Sequence, residues 1–489
     1  MRRDHQVASR PNSRYLVGMT TNGFRTGTFA SVLKYSAMIG GAVGLFLLVR
    51  LAGSTLVAPA PTFTVPSVGA SPVGTDVLLH VLLALVVVIL AARACGALCK
   101  RIHQPPVIGE VIAGILLGPS LLGRISPTAT AYLLPSSVAP FLSIIAQIGV
   151  ILFMFLVGLE LNVSQLKHRT HATVAISHAS ILVPFVLGSV LALWLYPKLS
   201  TSDVPFTVFA LFFGVSLSVT AFPVLAQILT DRGVHKTQLG IIALTCAAVD
   251  DVTAWCLLAF VIAVAKAQIS GVVITVTLVG LYVGFMLLVA RPLIIRAVRA
   301  QELRQAVSQN AFAAVVVLVL LSTLATEAVG IHAIFGAFLV GALIPYESRL
   351  ALALTHKLED LVVVLFLPAF FAFTGMRTQI GLVHGASQWL FCGIILATAS
   401  VGKFGGSFVA ARMTGFGNRD AASLGILMNT RGLVELIVLN IGLDLHILSP
   451  VLFAMLVLMA VVTTIATTPI LHFITRDTSP LAVPHQATE

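Results

Sequence analysis

Two interrupted apolar segments decide the fold: SVTAFPVLAQILTDRG at residues 218–233 and LMNTRGLVELIVLNIG at residues 427–442. A helix broken inside lipid leaves unpaired N–H and C=O groups, which only surrounding protein or a wet cavity can satisfy. A matched pair of breaks therefore predicts a functional site, whereas two unrelated proline or glycine kinks are the alternative. The predicted break residues are Thr220, Phe222 and Pro223 in the first segment and Asn429, Thr430, Arg431 and Gly432 in the second.

The two broken segments occupy equivalent places in two trios of apolar segments. One trio starts near residues 172, 205 and 236, and the other starts near residues 385, 420 and 450, an offset of about 213 residues. An odd number of spans separates the two starts, so the trios enter the membrane from opposite sides. This pattern predicts an inverted repeat in which two discontinuous helices cross at the midplane.

The composition excludes a soluble protein. Of the 489 residues, 58% are hydrophobic and 10% are charged, whereas soluble domains are about 45–50% apolar and about 25% charged. The apolar runs are continuous rather than alternating, which excludes a transmembrane β-barrel. We therefore predict an all-α polytopic membrane protein with about 13–14 transmembrane helices. The fourteen candidate segments are 35–52, 77–99, 107–123, 137–160, 172–196, 205–230, 236–265, 270–290, 306–326, 331–345, 358–376, 385–411, 420–441 and 450–474.

The distribution of the Lys and Arg residues, which give the chain a net charge of +11, indicates its orientation. Most of the 29 Lys and Arg fall in the N-terminal tail and in alternate loops, which predicts cytoplasmic termini and no nucleic-acid partner. Residues 1–33 are interpreted as a disordered cytoplasmic tail, 34–76 as an extra uncleaved helix and loop, and 476–489 as a C-terminal tail. Three cations fall inside apolar segments, namely Arg93, Lys403 and Arg431; Arg93 lies near a helix end and can snorkel.

Asp250 and Asp251 lie in LTCAAVDDVTAWCLLAF, the middle of segment 236–265. Charged groups at mid-bilayer are costly and mark ion pathways or buried pairs. Neighbouring residues on a helix point about 100° apart, so one carboxylate can face a partner helix while the other faces a cavity. The unpaired carboxylate should bind and release a proton near neutral pH. Ionised, it is a hard oxygen ligand for a small monovalent cation, so one group accepts either H⁺ or the cation.

Other polar residues complete the predicted site. Lys403 lies in a glycine-rich stretch (Gly402, Gly405 and Gly406) that allows close backbone approach, and we predict that it pairs with one of the two aspartates. Arg431 and Glu435 have the i, i+4 spacing of a structural ion pair. Ser218 and Thr220 are candidate oxygen ligands. Glu110 and Glu160 lie nearer helix ends and are interpreted as structural or vestibular. The five cysteines form no metal-binding pattern, and no cofactor is predicted.

These residues carry a family resemblance over about residues 75–475. The sequence resembles the monovalent cation:proton antiporter superfamily, the branch that holds bacterial Na⁺/H⁺ antiporters, K⁺ efflux systems and plant and fungal cation/H⁺ exchangers. The matching stretches are QPPVIGEVIAGILLGPSLLG at 104–123, FLVGLELN at 155–162, SVTAFPVLAQIL at 218–229, AAVDDVTAW at 247–255, VGKFGG at 401–406 and MNTRGLVELIVLNIGLDL at 428–445.

The resemblance implies an antiporter domain over 77–475. It has a core (about 137–265 and 385–474) with crossed broken helices, and a scaffold that forms a homodimer. It further implies that Asp251 binds the transported cation, that Asp250 pairs with Lys403, that Thr220 lies near the ion, and that the core slides against the scaffold. The extra N-terminal helix departs from the family pattern. The short C-terminal tail argues against a nucleotide-gated role. Arg431 beside the second break weakens the expectation of electrogenic exchange.

The sequence thus favours a secondary antiporter in the plasma membrane that exchanges Na⁺ or K⁺ for H⁺ by alternating access. A K⁺ efflux channel-like pathway is the alternative, but it needs a continuous polar pore, whereas the sequence offers an isolated midplane site. An intramembrane aspartyl protease needs two carboxylates that face each other from different segments. Adjacent aspartates on one helix do not meet this requirement, so we expect a transporter rather than an enzyme.

Overall fold

A computed structural model describes residues 22–58, 76–135, 137–160, 171–234, 237–266, 269–302, 307–329 and 332–475. Within these ranges the chain is helical and contains no strand. The helices, in chain order, are α1 Asn22–Gly53, α2 Asp76–Arg101, α3 Pro106–Leu117, α4 Leu122–Ile125, α5 Pro127–Leu133, α6 Ala139–Glu160, α7 His171–Leu199, α8 Phe206–Ser218, α9 Phe222–Asp231, α10 Gln238–Lys266, α11 Ile269–Phe285, α12 Arg291–Glu302, α13 Gln309–Val329, α14 Ile334–Leu343, α15 Arg349–Leu361, α16 Leu367–Arg377, α17 Gly385–Met413, α18 Asn418–Met428, α19 Leu433–Asp444 and α20 Pro450–Thr475.

The predicted polytopic all-α class is confirmed. Twelve helical stretches in the described ranges are long and apolar enough to cross a membrane, and the bent pair α18–α19 makes a thirteenth. Each of the fourteen predicted segments coincides with a helix or a helix pair. The shortest predicted segment, 331–345, corresponds to the ten residues of α14.

The N-terminal helix is longer than the sequence predicts. α1 begins at Asn22, whereas residues up to 33 were expected to be a disordered tail. Extending an existing helix adds one hydrogen bond for each residue that is ordered, without a new nucleation cost, so a polar segment can continue an apolar one. The remaining tail predictions, for residues 1–21 and 476–489, and the loop at 59–75 lie outside the described residues. The chain divides into two units, residues 1–45 and 46–489, and the features below belong to the second.

The helices of the second unit form two bundles by their packing. The repeat bundle consists of α7–α10 and α17–α20, which are the two predicted trios. The outer bundle consists of α2–α6 and α11–α16. α6, which the sequence analysis grouped with the core, packs mainly against α14 and α16. Within the repeat bundle, α7 packs against both α8 and α17, so the first helices of the two trios meet in its centre.

Two glycines of α17 explain how closely α17 approaches α7. A Cβ atom at Gly402 would lie 2.8 Å from the Cα of Pro184, and one at Gly406 would lie 2.7 Å from the carbonyl oxygen of Ala179. Both distances are too short for any residue with a side chain. The third glycine of this stretch, Gly405, has open space where a Cβ would be. Gly402 and Gly406 therefore set the helix spacing that brings Lys403 to the polar face of α7.

Candidate functional site

The two breaks cross each other inside the repeat bundle. α8 ends at Ser218 and α9 begins at Phe222, whereas α18 ends at Met428 and α19 begins at Leu433 with a bend of 42°. The backbone N–H of Ala221 donates to the carbonyl oxygen of Thr430 at 3.1 Å, which joins the two breaks directly. A Cβ at Gly432 would lie 2.6 Å from Cγ2 of Val224, so a larger residue at this crossing would force Val224 to shift.

The first break lies slightly before the position that the sequence indicates. The residues between the half-helices are Val219, Thr220 and Ala221, while Phe222 and Pro223 form the first turn of α9. Proline is favoured in a first helical turn because the N–H it lacks would have no intrahelical partner there. Pro223 thus starts the second half-helix rather than lying in the non-helical gap.

Asp250 accepts hydrogen bonds from four donors and is completely buried. Its carboxylate accepts hydrogen bonds from Ser177 Oγ at 2.7 Å, Ser180 Oγ at 2.5 Å and Thr220 Oγ1 at 2.8 Å. Lys403 Nζ, the fourth donor, lies 3.3 Å away. Four donors and no acceptor form the environment that an ionised carboxylate requires. The sequence analysis missed Ser177 and Ser180. The sequence feature that could have identified them is a pair of serines three residues apart, and thus on one face of the helix, in the apolar segment 172–196.

Asp251 differs sharply from its neighbour. It is also buried, yet neither of its carboxylate oxygens has a hydrogen-bond partner among the described residues. The backbone amide of Phe222, at the N-terminus of α9, is directed towards this carboxylate without reaching hydrogen-bond geometry. Adjacent carboxylates on one helix therefore occupy two different environments.

Two buried cations satisfy the free carbonyl groups at the end of α8. Lys403 Nζ donates to the carbonyl oxygen of Ser218 in addition to its contact with Asp250. The Arg431 guanidinium donates to the carbonyl oxygens of Ser216 at 3.0 Å and Leu217 at 2.7 Å. The C-terminal end of a helix carries a partial negative charge and unpaired carbonyls, so both cations stabilise the break.

Arg431 also pairs with Glu435. The distance between Arg431 Nη1 and Glu435 Oε2 is 2.9 Å, and both side chains are fully buried. Lys403 and Asp250 form the second buried pair. Among the buried acidic groups around the described crossing, Asp251 is therefore the one without a paired cation.

The remaining predicted residues lie around this centre. Ser218 donates its hydroxyl to its own helix at Gly214 and to the carbonyl oxygen of Ile181. Thr220 also approaches the carbonyl oxygen of Met428 at 3.3 Å. Glu110 on α3 and Glu160 at the end of α6 belong to the outer bundle. The described residues contain no cluster of His, Cys, Asp and Glu that could hold a metal ion.

Comparison with known proteins gives consistent matches. The family model of the transmembrane sodium/hydrogen exchangers matches residues 82–476. The Na⁺/H⁺ antiporter NhaS4 of Synechocystis is 45% identical over 398 residues, which cover 81% of this chain and 97% of that protein. Cation/H⁺ antiporter 18 of Arabidopsis thaliana is 40% identical over 80% of this chain, and K⁺/H⁺ antiporter 1 of Saccharomyces cerevisiae is 34% identical over 79%.

The chain spans about half the length of these plant and yeast relatives, 48% and 46% respectively. Among solved structures, the sodium proton antiporter MjNhaP1 of Methanocaldococcus jannaschii superposes with a TM-score of 0.60, covering 82% of this chain and 97% of that one at 14% identity. At this identity the likeness establishes the fold alone, and the crossed broken helices are consistent with it.

Proposed function

Because the chain belongs to the sodium/hydrogen exchanger family, we propose that it is a secondary antiporter that exchanges Na⁺ or K⁺ for H⁺ at Asp251. The observation that carries the assignment is the contrast between two adjacent buried carboxylates. Asp250 is surrounded by four donors, whereas Asp251 has no hydrogen-bond partner among the described residues. A buried carboxylate that no protein group neutralises is available to bind a proton or a transported cation.

A single carboxylate is sufficient for coupling. A buried, unpaired charge is unfavourable, so Asp251 is neutralised either by a proton or by a monovalent cation, and the two compete for the same oxygens. If the site reorients only when neutralised, each reorientation carries one ligand or the other, which gives obligatory exchange. We propose that reorientation is a movement of the repeat bundle against the outer bundle, which exposes Asp251 to the two sides in turn.

The neighbouring charged residues position the site. Lys403 and Asp250 compensate each other, as do Arg431 and Glu435, so neither pair competes for the transported ion. Thr220 connects the first break to Asp250 through its hydroxyl. Asp250 and Lys403 thereby hold α10, α7, α17 and the first break in one arrangement.

We propose a plasma-membrane location with cytoplasmic termini, in agreement with the excess of Lys and Arg in alternate loops. We also propose a homodimer formed by the outer bundle. In two of its spans, Val77–Arg101 and Gln309–Val329, only 22% of an 18-residue apolar stretch is buried within the chain, which leaves apolar surface for lipid or for a second copy.

The decisive experiment replaces Asp251 with Asn, which keeps the shape of the side chain and removes its charge. Proteoliposomes that contain a pH-sensitive dye should show cation-induced proton movement with the wild-type protein and none with Asp251→Asn. The matched control is Asp420→Asn, since Asp420 is an exposed acid in the first turn of the second broken span. Exchange by Asp251→Asn would refute the assignment of the site. A cation flux that neither saturates nor moves protons would instead indicate a channel.

A further inference from the structure

Two oxygen atoms of the second break are buried and have no hydrogen-bond partner among the described residues. They are the side-chain carbonyl oxygen of Asn429 and the hydroxyl oxygen of Thr430. Asn429 is 7% exposed and Thr430 is fully buried. Buried polar atoms without a partner are rare in proteins, and each calls for an explanation. Together with Asp251, the described part of the crossing thus carries free oxygens on both α10 and the second break.

The backbone of the second break contacts the first break on both sides of Asn429. The carbonyl oxygen of Met428 accepts from the Thr220 hydroxyl at 3.3 Å, and that of Thr430 accepts from the Ala221 N–H at 3.1 Å. Asn429 is therefore held against the first break on both sides along the chain. Thr220 in turn donates to Asp250, the neighbour of Asp251 on α10. The first break thus lies between the second break and the aspartate pair.

The local backbone does not explain why an asparagine ends α18. Asparagine is favoured after helices when the backbone is left-handed, but Asn429 has φ −83° and ψ 6°, which any residue adopts. Its backbone N–H bonds to Ile426 without help from its side chain. The amide group is therefore not required for the turn.

We propose that Asn429 and Thr430 supply neutral oxygen ligands to the cation held by Asp251. The inference rests on the proposed function and extends the site from α10 to the second broken helix. Carboxylate and neutral carbonyl or hydroxyl oxygens suit hard cations. One carboxylate with neutral oxygens balances one positive charge, because the Lys403–Asp250 and Arg431–Glu435 pairs are already balanced. The ligand set therefore suits a monovalent cation and leaves a divalent one uncompensated.

The test measures the cation concentration that gives half-maximal exchange, in proteoliposomes, for Na⁺, Li⁺, K⁺ and Rb⁺. Asn429→Ala should raise this concentration about tenfold for the preferred cation, which corresponds to about 1.4 kcal/mol, and should alter the order of preference among the four ions. Thr430→Val, which keeps the shape and removes the hydroxyl, should raise it severalfold. A purely structural role would instead lower the maximal rate for all four ions equally.

The matched control is Thr463→Ala, because the Thr463 hydroxyl is buried in the same bundle and, among the described residues, bonds only to carbonyls of its own helix. A second readout is the rise in melting temperature that the preferred cation causes in the detergent-purified protein, which Asn429→Ala should reduce. Unchanged half-maximal concentrations in Asn429→Ala would overturn the proposal. Exchange by the wild-type protein in the same assay would still support the antiporter assignment. If Asn429→Ala does not fold, an unchanged value in Thr430→Val overturns the proposal in the same way.

Discussion

At the scale of single residues, the site depends on the different environments of two adjacent aspartates. Asp250 and Asp251 are adjacent on α10, and both are buried. Three hydroxyls and one ammonium group saturate Asp250. The free-energy penalty of burying these charges is small only while all members of the network are present, because a buried charge without its partner is strongly unfavourable.

Removing one member of the Lys403–Asp250 pair should therefore destabilise the protein. Breaking a buried ion pair from one side costs about 3–5 kcal/mol, so we expect Lys403→Met to lower the melting temperature in detergent clearly. Asp250→Asn combined with Lys403→Met should recover part of the loss, because no uncompensated charge then remains. Additive losses in the double variant would contradict this view of the pair.

At the scale of helices, the spacing of α7 and α17 decides whether the network can form. Ser177 and Ser180 lie on α7, whereas Lys403 lies on α17. All three reach Asp250. The contact is possible because Gly402 and Gly406 present no side chain to α7. Helix packing in membranes commonly uses small residues in this way.

The glycines of α17 offer a test with an internal control. Gly406→Ala places a methyl group against the Ala179 carbonyl, so it should separate the helices, lower the melting temperature and weaken exchange. Gly405→Ala faces open space and should be neutral or stabilising by up to about 1 kcal/mol, since alanine is the better helix former. Equal effects of the two substitutions would show that close packing at Gly406 is unimportant.

At the scale of the whole molecule, few polar contacts cross between the two bundles in the described ranges. At one end, Arg377 of the outer bundle pairs with Asp444 at 2.7 Å, and Asn440 of α19 donates to Thr374 of α16 at 2.7 Å. At α20, the side chain of Gln104 donates to the carbonyl oxygen of Ile465. In a regular helix the Ile465 carbonyl would accept from the N–H of residue 469, but Pro469 has no N–H. Gln104 of the outer bundle therefore supplies the donor.

If the bundles move during transport, tying them together should stop exchange. We expect Thr374→Cys with Asn440→Cys, in a background without the five native cysteines, to lose exchange on cross-linking with a short bifunctional thiol reagent. Uncross-linked protein of the same double variant should remain active. The control pair is Tyr282→Cys with Ser322→Cys, which replaces a 2.6 Å contact within the outer bundle. Full exchange by the cross-linked Thr374–Asn440 pair would exclude relative movement at this contact.

The sequence by itself determined the membrane class, the helical segments, the inverted repeat and the candidate residues. These properties follow from local patterns: apolar runs of span length, breaks at Thr220 and Asn429, and rare charges such as Asp250, Asp251 and Lys403 in apolar surroundings. Such patterns are visible in sequence because burying a charge or breaking a helix in lipid is costly, so each instance stands out.

Only the tertiary structure decided which aspartate is saturated and which is free. Ser177, Thr220 and Lys403 lie 73, 30 and 153 residues from Asp250 along the chain, and no local pattern predicts that they converge on it. Packing around Gly402 and Gly406 brings α7, α17 and the first break onto one face of α10. Because neighbouring side chains on a helix diverge by about 100°, the same packing leaves Asp251 on a different side of α10, without a hydrogen-bond partner in the described chain.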